Sequence, residues 1–307
     1  MKQWAVVFFE QEASVRIGLA LGNQVMDVSA VVADVCGQAD ADPRFHCFEH
    51  WSDCLARFQR LAFSGSASLD GLRLLPPLHP FGSMYCAGAN YRSHVLEMAR
   101  VNQQEPDEDP KLSGQKPWHF IKPSRVCAVG HEAVVRRPAL SQRVDWEAEL
   151  AVIIGKKAER VSLDEALRFV AGYACANDFS ARDLSRRPQV QPGSPFRFDW
   201  LAHKCFTGSS PVGPSLVPAS LVPDPQALGI RLSVNGQIKQ DANTSDMIFS
   251  VAEQISQLSS VLTLYPGDVV LTGTPAGVGS ATQTFLQAGD RVCVDIDGLG
   301  VLTTTMT

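Results

Sequence analysis

The stretch Val144-Asp145-Trp146-Glu147-Ala148-Glu149-Leu150-Ala151-Val152-Ile153-Ile154-Gly155 decides how this chain is read. Its apolar content and closing glycine predict a largely buried strand. Side chains alternate along a strand, so Glu147 and Glu149 point one way with Cα atoms roughly 7 Å apart, while Trp146, Ala148, Leu150 and Val152 point the other. Two like charges held that close in a poorly solvated place repel, and one protonates unless a metal or a strong base keeps both ionised. The pair is therefore the first pointer to function.

Composition bounds what surrounds it. With 307 residues, 45% hydrophobic and 19% charged, the chain is large enough for one big core plus a smaller domain. A formal net charge of −5 without any Lys/Arg block argues against nucleic acid or an anionic membrane as partner. It leaves room for a small anionic ligand where positive charge gathers locally. The apolar run from Trp4 to Phe9 is too short for a signal segment, and no stretch reaches the length of a membrane span. The eight cysteines show no CxxC pairing, which fits reduced, packing cysteines and a cytoplasmic location.

Outward from the acidic strand, the main boundary is expected at the proline-dense Leu75-Pro76-Pro77-Leu78-His79-Pro80, giving a small domain over 1–78 and a catalytic domain over 79–307. In the first, residues 4–9 and 15–27 read as strands around Leu21-Gly22-Asn23, and 47–63 carries a helical stripe. His46 and His50 are four apart and could share a helix face, although such histidines are more often structural. In the second, Asn235-Gly236 and Asp297-Gly298 predict two-residue hairpins. Ser162-Leu163-Asp164-Glu165 and Ser250-Val251-Ala252-Glu253 predict helices opened by capping boxes. The fold class is α+β with β dominating, and no GxGxxG or P-loop suggests a nucleotide fold.

A hard divalent ion needs more than two glutamates, and Asp178 is the candidate third ligand. It follows the Ser162 helix and the strand-like Val170 to Asn177, so strand, helix and strand bring the chain back beside Glu147 and Glu149. Three carboxylates without Cys or His favour Mg²⁺ or Mn²⁺, with Ca²⁺ also acceptable, over zinc. The competing reading pairs Asp178 with Arg182 or Arg186.

Several blocks, in order, resemble the fumarylacetoacetate hydrolase family from about Ser83 to the C-terminus. They are Gly88 to Glu97, Phe120-Ile121-Lys122-Pro123, Asp145 to Gly155, Gly172-Tyr173, Asn177 to Asp183, Trp200 with Lys204, and Pro266 to Gly279. The resemblance implies a twisted mixed β-roll catalytic domain, a homodimer, and a divalent ion on Glu147, Glu149 and Asp178. It also implies an acylpyruvase or a 2-hydroxyhepta-2,4-diene-1,7-dioate isomerase type of chemistry, in a pathway such as aromatic catabolism.

The residue types then suggest roles. A 2,4-dioxo acid chelates a divalent ion through its carboxylate and 2-oxo oxygens, and the ion stabilises the enolate formed when C3–C4 breaks. Lys204, at the position of the family's active-site lysine, would add positive charge to that enolate. Thr274 in the Thr272-Gly273-Thr274-Pro275 turn would offer its hydroxyl and backbone N–H to the substrate carboxylate, with Gly273 beside it also expected to bind substrate and a plain turn as the competing reading. His94 and Glu97, three apart on a helical turn, would activate water, on a lid continued by Asn102 to Gln115. Arg182 would hold a substrate oxygen, with Asp183 or Asp178 as structural partners otherwise, and Lys122 would contact the site or neutralise it. The basic insert Arg186 to Phe198 is expected to shape the distal pocket or a dimer contact. The expected activity is metal-dependent C–C hydrolysis of an acylpyruvate-like 2,4-dioxo acid. Oxaloacetate decarboxylation, 2-oxo-enedioate isomerisation and a non-catalytic metabolite-binding module are the alternatives.

Overall fold

Every residue of the Ala148–Ile154 strand is buried, because it has a neighbouring strand on each edge and a packed layer on each face. The computed structural model describes residues 4–37, 42–64, 67–79, 82–105 and 110–307. Strand regularity stops short of Glu147. Val144–Asp145 is a separate short strand paired with Ser180–Ala181, and Trp146 and Glu147 lie in the break, so the expected unbroken strand is two pieces. Side chains make that break: Asn177 Oδ1 accepts from the Glu147 N–H at 2.9 Å and Asp145 Oδ1 accepts from the Trp146 N–H at 2.8 Å. The alternation nonetheless survives. Trp146, Ala148, Leu150, Val152 and Ile154 enter one core cluster, whereas Ala151 and Ile153 enter a second on the opposite face.

Ala148–Ile154 lies inside a mixed twelve-stranded sheet, antiparallel to both Val170–Asn177 and Val269–Leu271. Beyond Val269–Leu271 come Ser83–Ala87, which is parallel to it, and the edge strand His119–Pro123. On the other side Val170–Asn177 pairs with Ser210–Pro218, which continues through Val6↔Leu216 into the N-terminal strands Ala5–Gln11, Ser14–Leu21 and Gln24–Asp27. One face of this sheet packs on a five-stranded sheet that includes Gly229–Val234 and Arg291–Ile296, and on the helix Val251–Val261. The other face packs on the N-terminal helices through Phe48, Trp51 and Phe58. The molecule is thus α+β and sheet-dominated, as expected.

Local expectations divide. Asn235-Gly236 forms a two-residue hairpin with both residues at positive φ, 51° and 78°, which suits the twist of the flanking strands. Asp297-Gly298 does not: strands ending at Ile296 and starting at Gly300 leave a three-residue loop, because Leu299 is pulled into the core. The Ser250 capping box is complete, with Ser250 Oγ accepting from the Glu253 N–H at 3.3 Å and the Glu253 carboxylate from the Ser250 N–H at 2.7 Å. At Ser162 no side-chain cap forms. The helix Leu163–Phe169 is 3₁₀, and its Glu165 N–H is taken by the Ser162 carbonyl oxygen at 3.2 Å. The expected helix over 47–63 is shorter, Arg44–Glu49 and Trp51–Phe58, interrupted at His50. No helix among the described residues is long and apolar enough to cross a membrane.

Candidate active site

Because Ala148↔Asn177 is the last pair of its ladder, the residues just beyond, Glu147 and Asp178, fall opposite each other. The Asp178 N–H donates to the Glu147 carbonyl oxygen at 2.9 Å. Glu149 lies one pair further in, opposite Ala176, so its side chain joins theirs from the strand interior. One carboxylate oxygen from each of Glu147, Glu149 and Asp178 lies within 4.8 Å of the other two, and all three residues are buried. This is the grouping the alternation and the strand-helix-strand return anticipate.

Three cations meet these acids. Lys204 ends the short helix Trp200–Lys204, and its Nζ donates to Glu147 Oε2 at 2.7 Å and Asp178 Oδ2 at 2.6 Å. Lys122 is fully buried and donates to Asp178 Oδ1 at 2.6 Å and the Ser209 carbonyl at 3.0 Å. Arg182 spans Asp145 through Nε at 2.8 Å and Glu147 through Nη2 at 2.5 Å. Its partners are therefore Asp145 and Glu147, neither Asp178 nor Asp183. Asp183 instead accepts from Ser141 and the Gln142 N–H.

Glu149 is the carboxylate these cations do not reach. Among the described residues its side chain accepts one hydrogen bond, from the Gly273 N–H to Oε2 at 2.7 Å, so that N–H, expected to meet substrate, is already engaged. Burial first, and then the charges of Asp178 and Glu147, push its pKa well above the usual carboxylate range. Glu147 goes the other way: burial opposes its charge, but Lys204 and Arg182 more than offset that and hold it far below. Lys204 likewise stays charged, since Asp178 and Glu147 outweigh the cost of burying it. With Asp145 included, four carboxylates face three cations, so one negative charge is uncompensated when all four are ionised, and Glu149 is the acid that gives it up in the absence of a further cation. A hard divalent cation fits this donor set, because the three grouped ligand atoms are all carboxylate oxygens and a bound cation would let Glu149 ionise with the others.

A cavity of about 120 Å³ opens over the cluster, lined by Glu147, Glu149, Arg182, Lys204, Thr274 and His94. Thr274 Oγ1 accepts from Gln240 Nε2 at 2.9 Å, and the same Gln240 anchors the Ala148 N–H through its oxygen. Gly273 has φ +94°, and a Cβ there would lie 2.8 Å from the Asn90 Cβ, so glycine is required where the turn passes Asn90.

His94 and Glu97 lie on the helix Arg92–Asn102, as their spacing suggests. His94 Nδ1 is buried without a hydrogen-bond partner among the described residues, 3.9 Å from Glu97 Oε2. Glu97 is fixed by the Gly277 N–H, at 3.0 Å from both carboxylate oxygens. Burial raises its pKa less than His94 and the Gly277 and Val278 amides lower it, so the carboxylate stays ionised. Of the expected lid, residues 106–109 lie outside the described residues, and Lys111 pairs with Glu253 at 2.7 Å.

Sequence reasoning missed two kinds of residue. Asp145 accepts from Arg182 and from the N–H groups of Gly279 and Ser280, tying the arginine to the glycine-rich turn. Its place two residues before Glu147 was the available signal. The aromatic wall of the cavity, Trp118, Phe120 and Trp200, comes from two distant segments, and His203 stands beside it. Nothing in local pattern brings those segments together.

The comparisons with known proteins place the chain in a family. Residues 83–307 match the fumarylacetoacetate (FAA) hydrolase C-terminal family. The chain is 35% identical over 300 residues to the mitochondrial oxaloacetate tautomerase fahd2 of Xenopus laevis, covering 94% of this chain and 85% of that one. Maleylpyruvate hydrolase from Sphingobium sp. SYK-6, solved with manganese(II) and pyruvate, is similar over 99% of this chain and 98% of its own, with TM-score 0.75 and 26% identity. Fumarylpyruvate hydrolase from Pseudomonas aeruginosa, solved with Mn²⁺ and pyruvate, is 34% identical with TM-score 0.61, covering 78% of this chain and 92% of its own. From the buried Glu147, Glu149 and Asp178 cluster, the sheet that builds it and the match across 83–307, the chain belongs to the fumarylacetoacetate hydrolase family.

Proposed function

We propose that the protein is a divalent-metal-dependent hydrolase that cleaves the C3–C4 bond of an acylpyruvate-like 2,4-dioxo acid. The observation that carries this reading is that one small cavity sets His94 against Lys204, Arg182 and three mutually close carboxylates. Glu147, Glu149 and Asp178 would hold Mg²⁺ or Mn²⁺, and the bound ion would supply a Lewis acid to the 2-oxo end of the substrate. The Mn²⁺ and pyruvate in two solved relatives support this, since pyruvate is the fragment such a cleavage releases.

The chain's own groups supply the remaining chemistry. Thr274 receives a hydrogen bond on its hydroxyl oxygen, which leaves its proton to donate to the substrate carboxylate. The Lys204 ammonium stabilises negative charge developing on the 2-oxo oxygen, and Lys122 holds Asp178 in place behind it through the hydrogen bond to Oδ1. Arg182 spends two donors on Asp145 and Glu147 and retains others for the C4 carbonyl oxygen. His94 accepts a proton from the water that attacks C4, with Glu97 stabilising the imidazolium. The electrons of the C3–C4 bond pass to the pyruvate fragment, and a proton returns to C3. The products are pyruvate and a carboxylic acid.

Oxaloacetate tautomerisation is the second reading, favoured by the Xenopus relative. It needs the same 2-oxo acid seat and a proton moved between C3 and oxygen, without an attacking water. Turnover of an acylpyruvate panel, oxaloacetate and 2-oxo-enedioates with Mg²⁺, Mn²⁺ or chelator separates the two. The hydrolase reading expects chelator-sensitive pyruvate release as the fastest reaction, reduced about 10²- to 10⁴-fold in His94→Ala. Faster kcat/KM on oxaloacetate than on any acylpyruvate would overturn it.

A further inference from the structure

Three aromatic rings stand on one side of the cavity, facing its ionic side. Phe120 and Trp200 stack with centroids 5.5 Å apart, and Trp118 meets Trp200 edge-on at 5.7 Å. The Lys204 ammonium lies 5.3 Å from the centre of the Phe120 ring, so the aromatic wall begins where the charged floor ends. Trp118 and Trp200 are 47% and 48% exposed, marking the solvent end of the wall.

This placement is built. A Cβ on Gly88 would lie 1.9 Å from the Trp118 ring, so a residue without a side chain is what lets the indole lie across the cavity. Trp200 opens a short helix whose cap is Asp199, accepting from the Ala202 N–H at 2.9 Å. Asp199 is in turn paired with Arg187 of the basic insert. The insert's other arginines are used internally as well, Arg197 on the Val190 carbonyl at 2.6 Å and Arg186 over the Phe198 ring. None of the three lines the cavity. The insert therefore meets the site through Asp199 and Trp200, as a support for an aromatic surface.

Size decides what reaches that surface. A cavity of about 120 Å³ is below the ~300 Å³ or more of pockets that enclose a whole larger ligand. With the 2-oxo acid head seated over the carboxylates, as the proposed function has it, the group beyond C4 would lie against the rings, which form the opposite lining of the same cavity. The lining cations, Arg182 and Lys204, face carboxylates of the floor, and their remaining donors are assigned to the C4 and 2-oxo oxygens, so neither is left to pair with a carboxylate at the far end of the acyl group.

We propose that Trp118, Phe120 and Trp200 form an acyl-group subsite that selects planar, uncharged, unsaturated or aryl acyl groups over short alkyl or carboxylate-ended ones. This rests on the 2-oxo acid reading of the site. The test pairs turnover with binding, using Mn²⁺-loaded enzyme. Benzoylpyruvate should exceed acetylpyruvate and fumarylpyruvate in kcat/KM by about tenfold or more, chiefly through KM. In Trp200→Leu and, separately, Gly88→Ala, the benzoyl-to-acetyl ratio should fall by about the same factor. Calorimetric binding of 2-oxo-4-phenylbutanoate against 2-oxobutanoate, neither of which has a C4 carbonyl to cleave, should show the same preference and the same loss. A binding preference without cleavage would sink the hydrolase reading alone. Preference for fumarylpyruvate, or equal binding of the two 2-oxo acids, would overturn the subsite. So would an unchanged ratio in folded variants, whether or not their size-exclusion elution changes.

Discussion

Glu147 and Glu149 are two residues apart on one face, yet one is held ionised and the other is pushed towards its neutral form. The difference lies in who reaches them: Lys204 and Arg182 touch Glu147, and a backbone N–H touches Glu149. The strand period made the pair and its shared face legible in the sequence. The asymmetry was not, because it depends on cations from residues 182 and 204 whose placement is tertiary. A buried histidine gives a residue-scale prediction. Burial holds the His119 pKa at about 4, from 6.5, despite its contact with Gln254. Its folded pKa is depressed, so the unfolded chain binds the extra proton: this stability is intact above pH 6.5 and is lost as pH falls from 6.5 towards 4. His119→Gln should flatten that limb by at most about 3 kcal/mol in urea-midpoint titrations, relative to wild type. An identical acid limb in both proteins would refute it.

Among elements, two serines with the same Ser-x-x-Glu spacing came to different ends. At Ser250 the following helix is α, so the Glu253 N–H is an orphan that the serine hydroxyl satisfies. At Ser162 the helix is 3₁₀, and the corresponding N–H already bonds the serine's own carbonyl. Sequence spacing cannot distinguish these, since the same Ser-x-x-Glu pattern opens both helices. Ser250→Ala should therefore cost about 1 kcal/mol of unfolding free energy, and Ser162→Ala only a few tenths. Equal losses in denaturant melts would count against this account. The Asp297 loop teaches the same lesson, for an Asp-Gly pair announces a turn but a buried Leu299 sets its length.

At the scale of the molecule, the main sheet runs without interruption from the N-terminal hairpin through Val6↔Leu216 to the strands bearing the acids. One core cluster holds Phe8, Phe48, Trp51 and Leu78 together with Met84, Ile153 and Leu271. Buried side chains of this size are worth roughly 1.5–3 kcal/mol each, against a total stability of about 5–15 kcal/mol. A chain truncated to residues 79–307 is therefore expected to lose cooperative melting by circular dichroism; a sharp transition at the full-length temperature would contradict this. The far edge of the same sheet carries a different consequence. His119–Pro123 is hydrogen-bonded on one side, to Ser83–Ala87, with Ile121 58% exposed and Lys122 fully buried against Asp178. A slip by one residue would turn each side chain to the opposite face. It would set isoleucine against a carboxylate and carry the ammonium out to solvent. The Lys122–Asp178 pair thus works as a key for an edge that has a partner on one flank, admitting a single alignment of the strand that brings Phe120 to the cavity wall.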